Sequence, residues 1–265
     1  MPPKIAGGYG IRPYKKCKEL LMDRTHILTF TVTELHADRF GRCRSASLLR
    51  FAQDAAGAHC MKLGADWDTM AAKGLFWAVI RQRLEITRLP NLGETVTVKT
   101  WPMPTTRVAY PRATVGLDAA GNELFKVISL WVIMDIQSRT MIRPDRSGVD
   151  VEGTVLGGEL AAPAGLNFKD LPKETLRTVG FTELDVNGHM NNTRYIDWLC
   201  DLLPSDFHRE HPMKAVTICY LNEALEGQQV HLHWDNGSVL QVEGSVEKTD
   251  VNSGHTKIFT AQVEF

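Results

Sequence analysis

Asp185, Asn187 and His189 stand at alternate positions in the stretch Asp-Val-Asn-Gly-His. A carboxylate and an imidazole can move a proton, and an amide N–H can hold a developing oxyanion. A second carboxylate, Glu223, ends the mostly apolar run Ala215–Glu223. The reaction such a set suits is attack of water on an activated acyl group. A thioester fits best, because a thiol of pKa about 8.5 leaves with little acid assistance. If residues 185–189 run extended, alternate side chains share a face. The helix expected directly after them would offer unpaired N–H groups and a positive dipole end. Each residue alone has an ordinary reading: a loop or cap aspartate, a loop histidine, a solvated strand-end glutamate. Their clustering before a buried helix is what carries the chemistry.

Other reactive groups are less organised. His231 and His233 alternate on one strand but lack a third ligand nearby, so a surface strand face is expected and no metal. His208 and His211 lie in a polar stretch and read the same way. The five cysteines, Cys17, Cys43, Cys60, Cys200 and Cys219, form no C-x-x-C and read as reduced thiols. There is no G-x-S-x-G and no glycine-rich phosphate loop, and no cofactor is implied.

The elements that must position these groups come in two series. Residues 26–34 alternate as a strand, and Ser45–Leu63 places Leu48, Leu49, Ala52, Ala55, Ala56, His59, Cys60 and Leu63 on one helical face. Strand signals follow at 75–87, 94–101, 107–117 and 123–135, separated by Pro- and Gly-rich breakers. Residues 144–173 read as a linker between a first domain, 1–143, and a second, 174–265. The second has a strand at 176–184, the D-x-N-x-H loop, a helix over 193–203, and strands at 214–222, 228–234, 238–247 and 256–265. Asn236-Gly237 and Asn252-Ser253-Gly254 mark turns. At an offset of 147, Thr31-Val32, Asp38, Gly41 and Asp54 meet Thr178-Val179, Asp185, Gly188 and Asp201. Strand, loop, helix and four strands, given twice, predict an α+β double hot-dog: two tandem copies of a central helix wrapped by an antiparallel sheet.

Composition narrows the function classes. The chain has 265 residues, 30 Lys+Arg against 31 Asp+Glu, 43% hydrophobic and 23% charged. Disorder is excluded for its bulk, and generic nucleic-acid binding is disfavoured without a basic excess. No run approaches the roughly 20 apolar residues of a membrane span. Residues 1–24 carry basic residues but no apolar core of a signal peptide, and the first serine is Ser45. The expected location is the cytoplasm.

The segments DVNGHMNNTRYIDW (185–198), LFWAVIRQRLEITRLPNLGETVTVKTW (75–101) and LWVIMD (130–135) resemble the acyl-acyl-carrier-protein thioesterases. The resemblance covers nearly the whole chain after about residue 20. It implies a double hot-dog that hydrolyses fatty acyl chains from acyl carrier protein, with Asp185, Asn187 and His189 catalytic. In plant members a Glu-Cys pair follows on the next strand, and that Cys has been proposed as nucleophile. Here Glu223 matches the Glu and Ala224 replaces the Cys, so a nucleophile there is impossible. Glu223 and His189 are therefore expected to activate water, Asn187 to hold the thioester oxygen, and Asp185 to orient Asn187 or His189.

The acyl chain is expected in the first half, with Leu48, Ala52, Met61, Trp77 and Val79 as walls. The acidic carrier implied by the resemblance makes Lys15, Lys16, Lys18, Arg42, Arg44, Arg81, Arg83 and Arg88 docking candidates. The alternatives are a hot-dog thioesterase acting on coenzyme A thioesters, a non-catalytic acyl-carrier-binding module, and a hot-dog dehydratase, which would not need the Asn amide. Duplication supplies within one chain the pairing that single hot dogs obtain by dimerising, so either a monomer or a homodimer is viable.

Overall fold

The computed structural model describes residues 24–151, 153–247 and 254–265. The first half runs β1 (His26–Thr31), α1 (Ser45–Lys62), α2 (Trp67–Ala72), β2 (Leu75–Ile86), β3 (Thr95–Pro102), β4 (Tyr110–Leu117), β5 (Glu123–Asp135) and β6 (Met141–Ile142). The second runs β7 (Lys173–Thr178), α3 (Arg194–Asp201), α4 (Ser205–Glu210), β8 (Ala215–Tyr220), β9 (Gln229–Asn236), β10 (Leu240–Glu247) and β11 (His255–Glu264). The expected strand at 176–184 is shorter and earlier: Phe181–Glu183 is a 3-10 turn, because Glu183 turns back to accept from the Gly180 N–H at 2.9 Å. The expectation of one helix per half also fails, since α2 and α4 are additional short helices. Of the expected turn at 252–254, Asn252 and Ser253 lie outside the described residues.

The strands form one antiparallel sheet in the order β1-β3-β4-β5-β2-β8-β11-β10-β9-β7, with β6 on β5. The order reads as one half followed by its reversed counterpart. At the seam Arg83 pairs with Thr217, and Arg83 donates to the Thr217 hydroxyl at 2.9 Å. The same close approach recurs in each half: a Cβ on Gly116 would sit 2.0 Å from the Phe125 ring, and one on Gly244 2.2 Å from Phe259. Both rings are fully buried, so only glycine lets strand and ring meet.

The helices lie side by side against this sheet. One continuous core holds Leu48, Leu49 and Phe51 of α1 with Tyr195, Ile196 and Trp198 of α3, as their offset of 147 requires. Burying each large apolar side chain stabilises by about 1.5–3 kcal/mol. Arg50 of α1 donates to Asp197 of α3 at 2.7 Å, tying the two halves together.

Alpha1 has 18 residues and α3 only 8. The last two turns of α1 therefore run on beyond the length of α3, and past them α2 packs in a second apolar region around Ala65, Met70, Leu75, Tyr110 and Ile133. The stretch after β6 is laid across the seam strands rather than hanging free. Arg81 donates to the Pro163 carbonyl, Cys219 Sγ to Ala164 O and Thr260 Oγ1 to Leu166 O.

Candidate active site

Residues 185–189 form a tight turn, not the extended run expected of them. Asp185 N donates to His189 O at 2.8 Å and Gly188 N to Asp185 O at 3.0 Å. Gly188 has φ 76°, a conformation open to glycine at little cost. One carboxylate oxygen of Asp185 accepts from the N–H of Asn187 at 2.8 Å and of His189 at 3.4 Å. Asp185 thus builds the turn that presents the other two side chains. The helix does not follow directly either. Alpha3 starts at Arg194, and the N–H groups of Asn191, Thr193 and Arg194 are all taken within the protein.

Glu223 lies beyond the end of β8, in a loop whose Leu221 and Asn222 N–H groups donate to Ile258 O. Its Oε2 sits 3.2 Å from His189 Nε2, so the two proton-handling groups meet. Two residues that the sequence did not single out complete the site. Trp67 of α2 donates its indole N–H to Asn187 Oδ1 at 3.3 Å, which leaves the amide NH2 as the free end. Arg139, in the β5–β6 turn, donates to Glu223 Oε1 and to His189 Nε2, both at 3.2 Å. Both residues come from the first half, so the site is composite. The only local sign of Trp67 was the Asp66-x-x-Thr69 helix start, where Asp66 accepts from Thr69 N at 3.1 Å. Nothing in the sequence marked Arg139.

The turn opens on a cavity of about 450 Å3 whose wall includes Asp185, Val186 and Asn187. Its other walls are Ala56, Gly57, Cys60 and Met61 of α1, with Met70, Phe76, Trp77, Tyr110, Arg112 and Trp131. Of the expected walls, Met61 and Trp77 line it. Leu48 and Ala52 sit instead in the main core, because helical periodicity marks the core-facing stripe; Val79 is not among the lining residues. Buried Arg112 meets His59 Nδ1 at 3.1 Å and Thr100 Oγ1 at 3.5 Å.

The expected docking charges are committed internally where they are described. Arg42 donates to the His208 and Arg209 carbonyls, Arg44 to Leu35 O, and Arg81 to Pro163 O. Arg83 pairs with Glu85 and Glu264, and Arg88 with Glu94 and Asp118. Lys15, Lys16 and Lys18 lie outside the described residues, as does Cys17.

Thiol chemistry has little support among the described cysteines. Burial pushes the Cys43 and Cys200 thiols each up to about 12 and raises that of Cys60. Buried Tyr195, beneath the turn, is held above the ordinary phenol range by burial and then by the charges of Asp185, Glu183 and Glu223. On the far sheet edge, His231 pairs with Glu174 at 2.6 Å and approaches Glu247 and His255. The third ligand that the sequence did not show near His231 is therefore present: His231, Glu247 and His255 bring ligand atoms within 4.8 Å of one another, at a sheet edge where the Glu247 side chain is 76% exposed.

Comparison with known proteins bears on the whole chain. The acyl-ACP thioesterase N-terminal domain matches residues 23–145 and the acyl-ACP thioesterase C-terminal domain residues 169–263. A chloroplastic palmitoyl-acyl carrier protein thioesterase of Gossypium hirsutum is 26% identical over 224 residues, 81% of this chain and 51% of that protein. A chloroplastic oleoyl-acyl carrier protein thioesterase of Arabidopsis thaliana is 27% identical over 190 residues, 64% of this chain and 52% of that one. The chain spans about half the length of the curated relatives it matches. Among solved structures, an acyl-ACP thioesterase from Bacteroides thetaiotaomicron superposes with TM-score 0.81 at 21% identity, covering 92% of this chain and 98% of that one. The 12:0-ACP thioesterase of Umbellularia californica gives TM-score 0.75 at 21% identity, covering 91% and 96%. These likenesses show the double hot-dog fold, and with both domain matches in order the chain belongs to the acyl-ACP thioesterase family.

Proposed function

We propose that this protein hydrolyses fatty acyl thioesters carried on acyl carrier protein, releasing the free fatty acid. The observation that carries this reading is the composite turn: His189 and Glu223 meet at 3.2 Å, and Asn187, two residues before His189, stands at the wall of an apolar cavity with the donor end of its amide free. The acyl chain enters the cavity and the thioester carbonyl stops at the turn. A water molecule gives a proton to the Glu223–His189 pair as its oxygen bonds to the carbonyl carbon. The carbonyl oxygen becomes an oxyanion, held by the Asn187 amide. The tetrahedral centre then collapses, the C–S bond breaks, and the thiolate takes the proton back. Water and thioester are converted to carboxylic acid and thiol, with no other reactant.

No described helix is long and apolar enough to cross a membrane. Because both halves of the site come from one chain, a monomer is sufficient.

The test is thiol release from acyl-carrier-protein thioesters of about eight to eighteen carbons, with matched coenzyme A thioesters alongside. Fast release from the carrier forms is expected, with one range of chain length preferred. Release from coenzyme A alone would move the partner and keep the chemistry. Binding without release from either would make the turn a structural feature of an acyl-binding module.

A further inference from the structure

Arg139 is an unusual residue to find beside the catalytic pair. It has no counterpart in the motif, lies 50 residues before His189, and belongs to the other half of the molecule. Its φ is 53°, in the left-handed region that non-glycine residues seldom occupy. Such backbone persists only when its surroundings hold it, and it clusters at functional sites. Here the surroundings are visible. Asp135 accepts from the N–H groups of Gln137 and Ser138 at 3.0 and 2.8 Å, and Arg139 N returns to Asp135 O at 3.1 Å. The guanidinium packs over the Phe76 ring at 5.2 Å, so its plane is set before it reaches the site.

Held in this way, the guanidinium donates once to Glu223 Oε1 and once to His189 Nε2. Arginine has no acceptor. Accepting the bond from Arg139, Nε2 offers its lone pair, and His189 is then the neutral tautomer with its proton on Nδ1; a proton on Nε2 would instead go to Glu223 Oε2 at 3.2 Å. Of the two carboxylate oxygens, Oε1 is occupied by the guanidinium, whereas Oε2 lies 3.2 Å from His189 Nε2, which carries no proton for it in this tautomer, so Oε2 is open to a proton from water.

We infer that Arg139 is a positioning residue that divides the labour of the catalytic pair: it holds His189 as the Nδ1–H tautomer and leaves Glu223 Oε2 as the atom that takes the proton from water. This rests on the proposed hydrolysis for its kinetic meaning but not for its structural content. It also assigns the first half a part in the chemistry, not merely in binding the acyl chain.

Two measurements on the full chain test it separately. Long-range 1H–15N correlation spectra of the substrate-free protein report which His189 nitrogen carries the proton. The expected native state has Nδ1 protonated; Arg139→Ala should move the proton to Nε2, where it can donate to Glu223. An unchanged tautomer in the variant, or Nε2 protonated in the native protein, overturns the inference whether or not the protein is a hydrolase. In hydrolysis assays Arg139→Ala should lower kcat by about 10²-fold with KM nearly unchanged. Arg139→Lys should restore little, because one ammonium cannot span both partners. Native-like kcat in Arg139→Ala overturns the role in turnover. A native chain that cleaves no thioester defeats the hydrolase reading while the spectra still decide the contact.

Discussion

The turn at 38–42 and the turn at 185–189 are the same piece of backbone with different side chains. Asp38 N donates to Arg42 O at 2.7 Å as Asp185 N does to His189 O at 2.8 Å, and Gly41 has φ 74° where Gly188 has 76°. The Asp38 carboxylate accepts from the N–H groups two and four residues on, as the Asp185 carboxylate does. Even the neighbouring loop is shared. Cys43 N donates to Pro90 O and Met190 N to Ala224 O, which places Leu89 where the second half has Glu223. Phe40 replaces Asn187 and Arg42 replaces His189. Around the first turn there is a cavity of about 420 Å3, lined by Asp38, Phe40, Arg42 and Leu89, but Arg42 is spent on the His208 and Arg209 carbonyls. Scaffold and chemistry are thus separable. The duplicated fold supplies a turn and a hollow twice, and among the described residues only the second turn gathers a carboxylate, an amide and an imidazole, with Trp67 and Arg139 beside them, as the proposed site requires.

The sharpest test of that separation is to alter equivalent positions in both copies. Glu223→Gln should lower kcat by about 10²–10⁴-fold with the fold intact, since the base is lost and its shape kept. Leu89→Glu should leave the rate within about twofold of native, because no imidazole or amide awaits the new carboxylate. Steady-state kinetics with circular dichroism on each variant decide it. Near-native turnover in Glu223→Gln would remove the base from the proposed mechanism, and a large loss in Leu89→Glu would mean that the first turn takes part.

How much of this could be read in the sequence depends on the range of the interaction. The strands alternate, and α1 repeats its apolar face, so local periodicity carried most of the fold. Asp185, Asn187 and His189 sit within five residues, and their grouping was visible for the same reason. The equivalence of Leu89 and Glu223 was hidden, because the offset between copies falls from 147 at Val32 and Val179 to 134 at Gly93 and Gly227. The longer α1 and its following segment absorb the difference. Trp67 and Arg139 lie 120 and 84 residues from Asn187 and Glu223, and the β2–β8 seam, with the packing of α1 on α3, brings them there. The cavity walls were partly misplaced because helix periodicity identifies what is buried, not what faces a hollow. The docking arginines show the remaining limit: residue type gives a charge, whereas the partner that consumes it, such as Glu264 for Arg83, depends on the fold.

A second pair of variants examines the scaffold itself. Gly116→Ala and Gly244→Ala each drive a methyl group into a fully buried phenylalanine ring that has no room to swing aside. Each should cost about 1–3 kcal/mol in urea unfolding, and the two costs should agree closely. A clear inequality would show that the halves, alike in backbone, differ in how their cores yield.

The smallest effect concerns Asp185, where scaffold and chemistry meet. Its carboxylate accepts two backbone N–H groups, and so does that of Asp38, in a turn with no chemistry to perform. If turn building is the whole of its work, Asp38→Ala and Asp185→Ala should destabilise alike, by about 1 kcal/mol for each hydrogen bond lost. Only the second should also slow hydrolysis, because Asn187 and His189 would lose their placement. Asp185→Asn is more telling. An amide oxygen accepts the same two N–H groups without a charge, so stability should stay close to native and turnover within about tenfold of it. Should Asp185→Asn instead fall as far as Glu223→Gln while unfolding like the native protein, the negative charge itself takes part in the reaction. Asp185 would then do something that Asp38 never does, and the likeness of the two turns would end at the backbone.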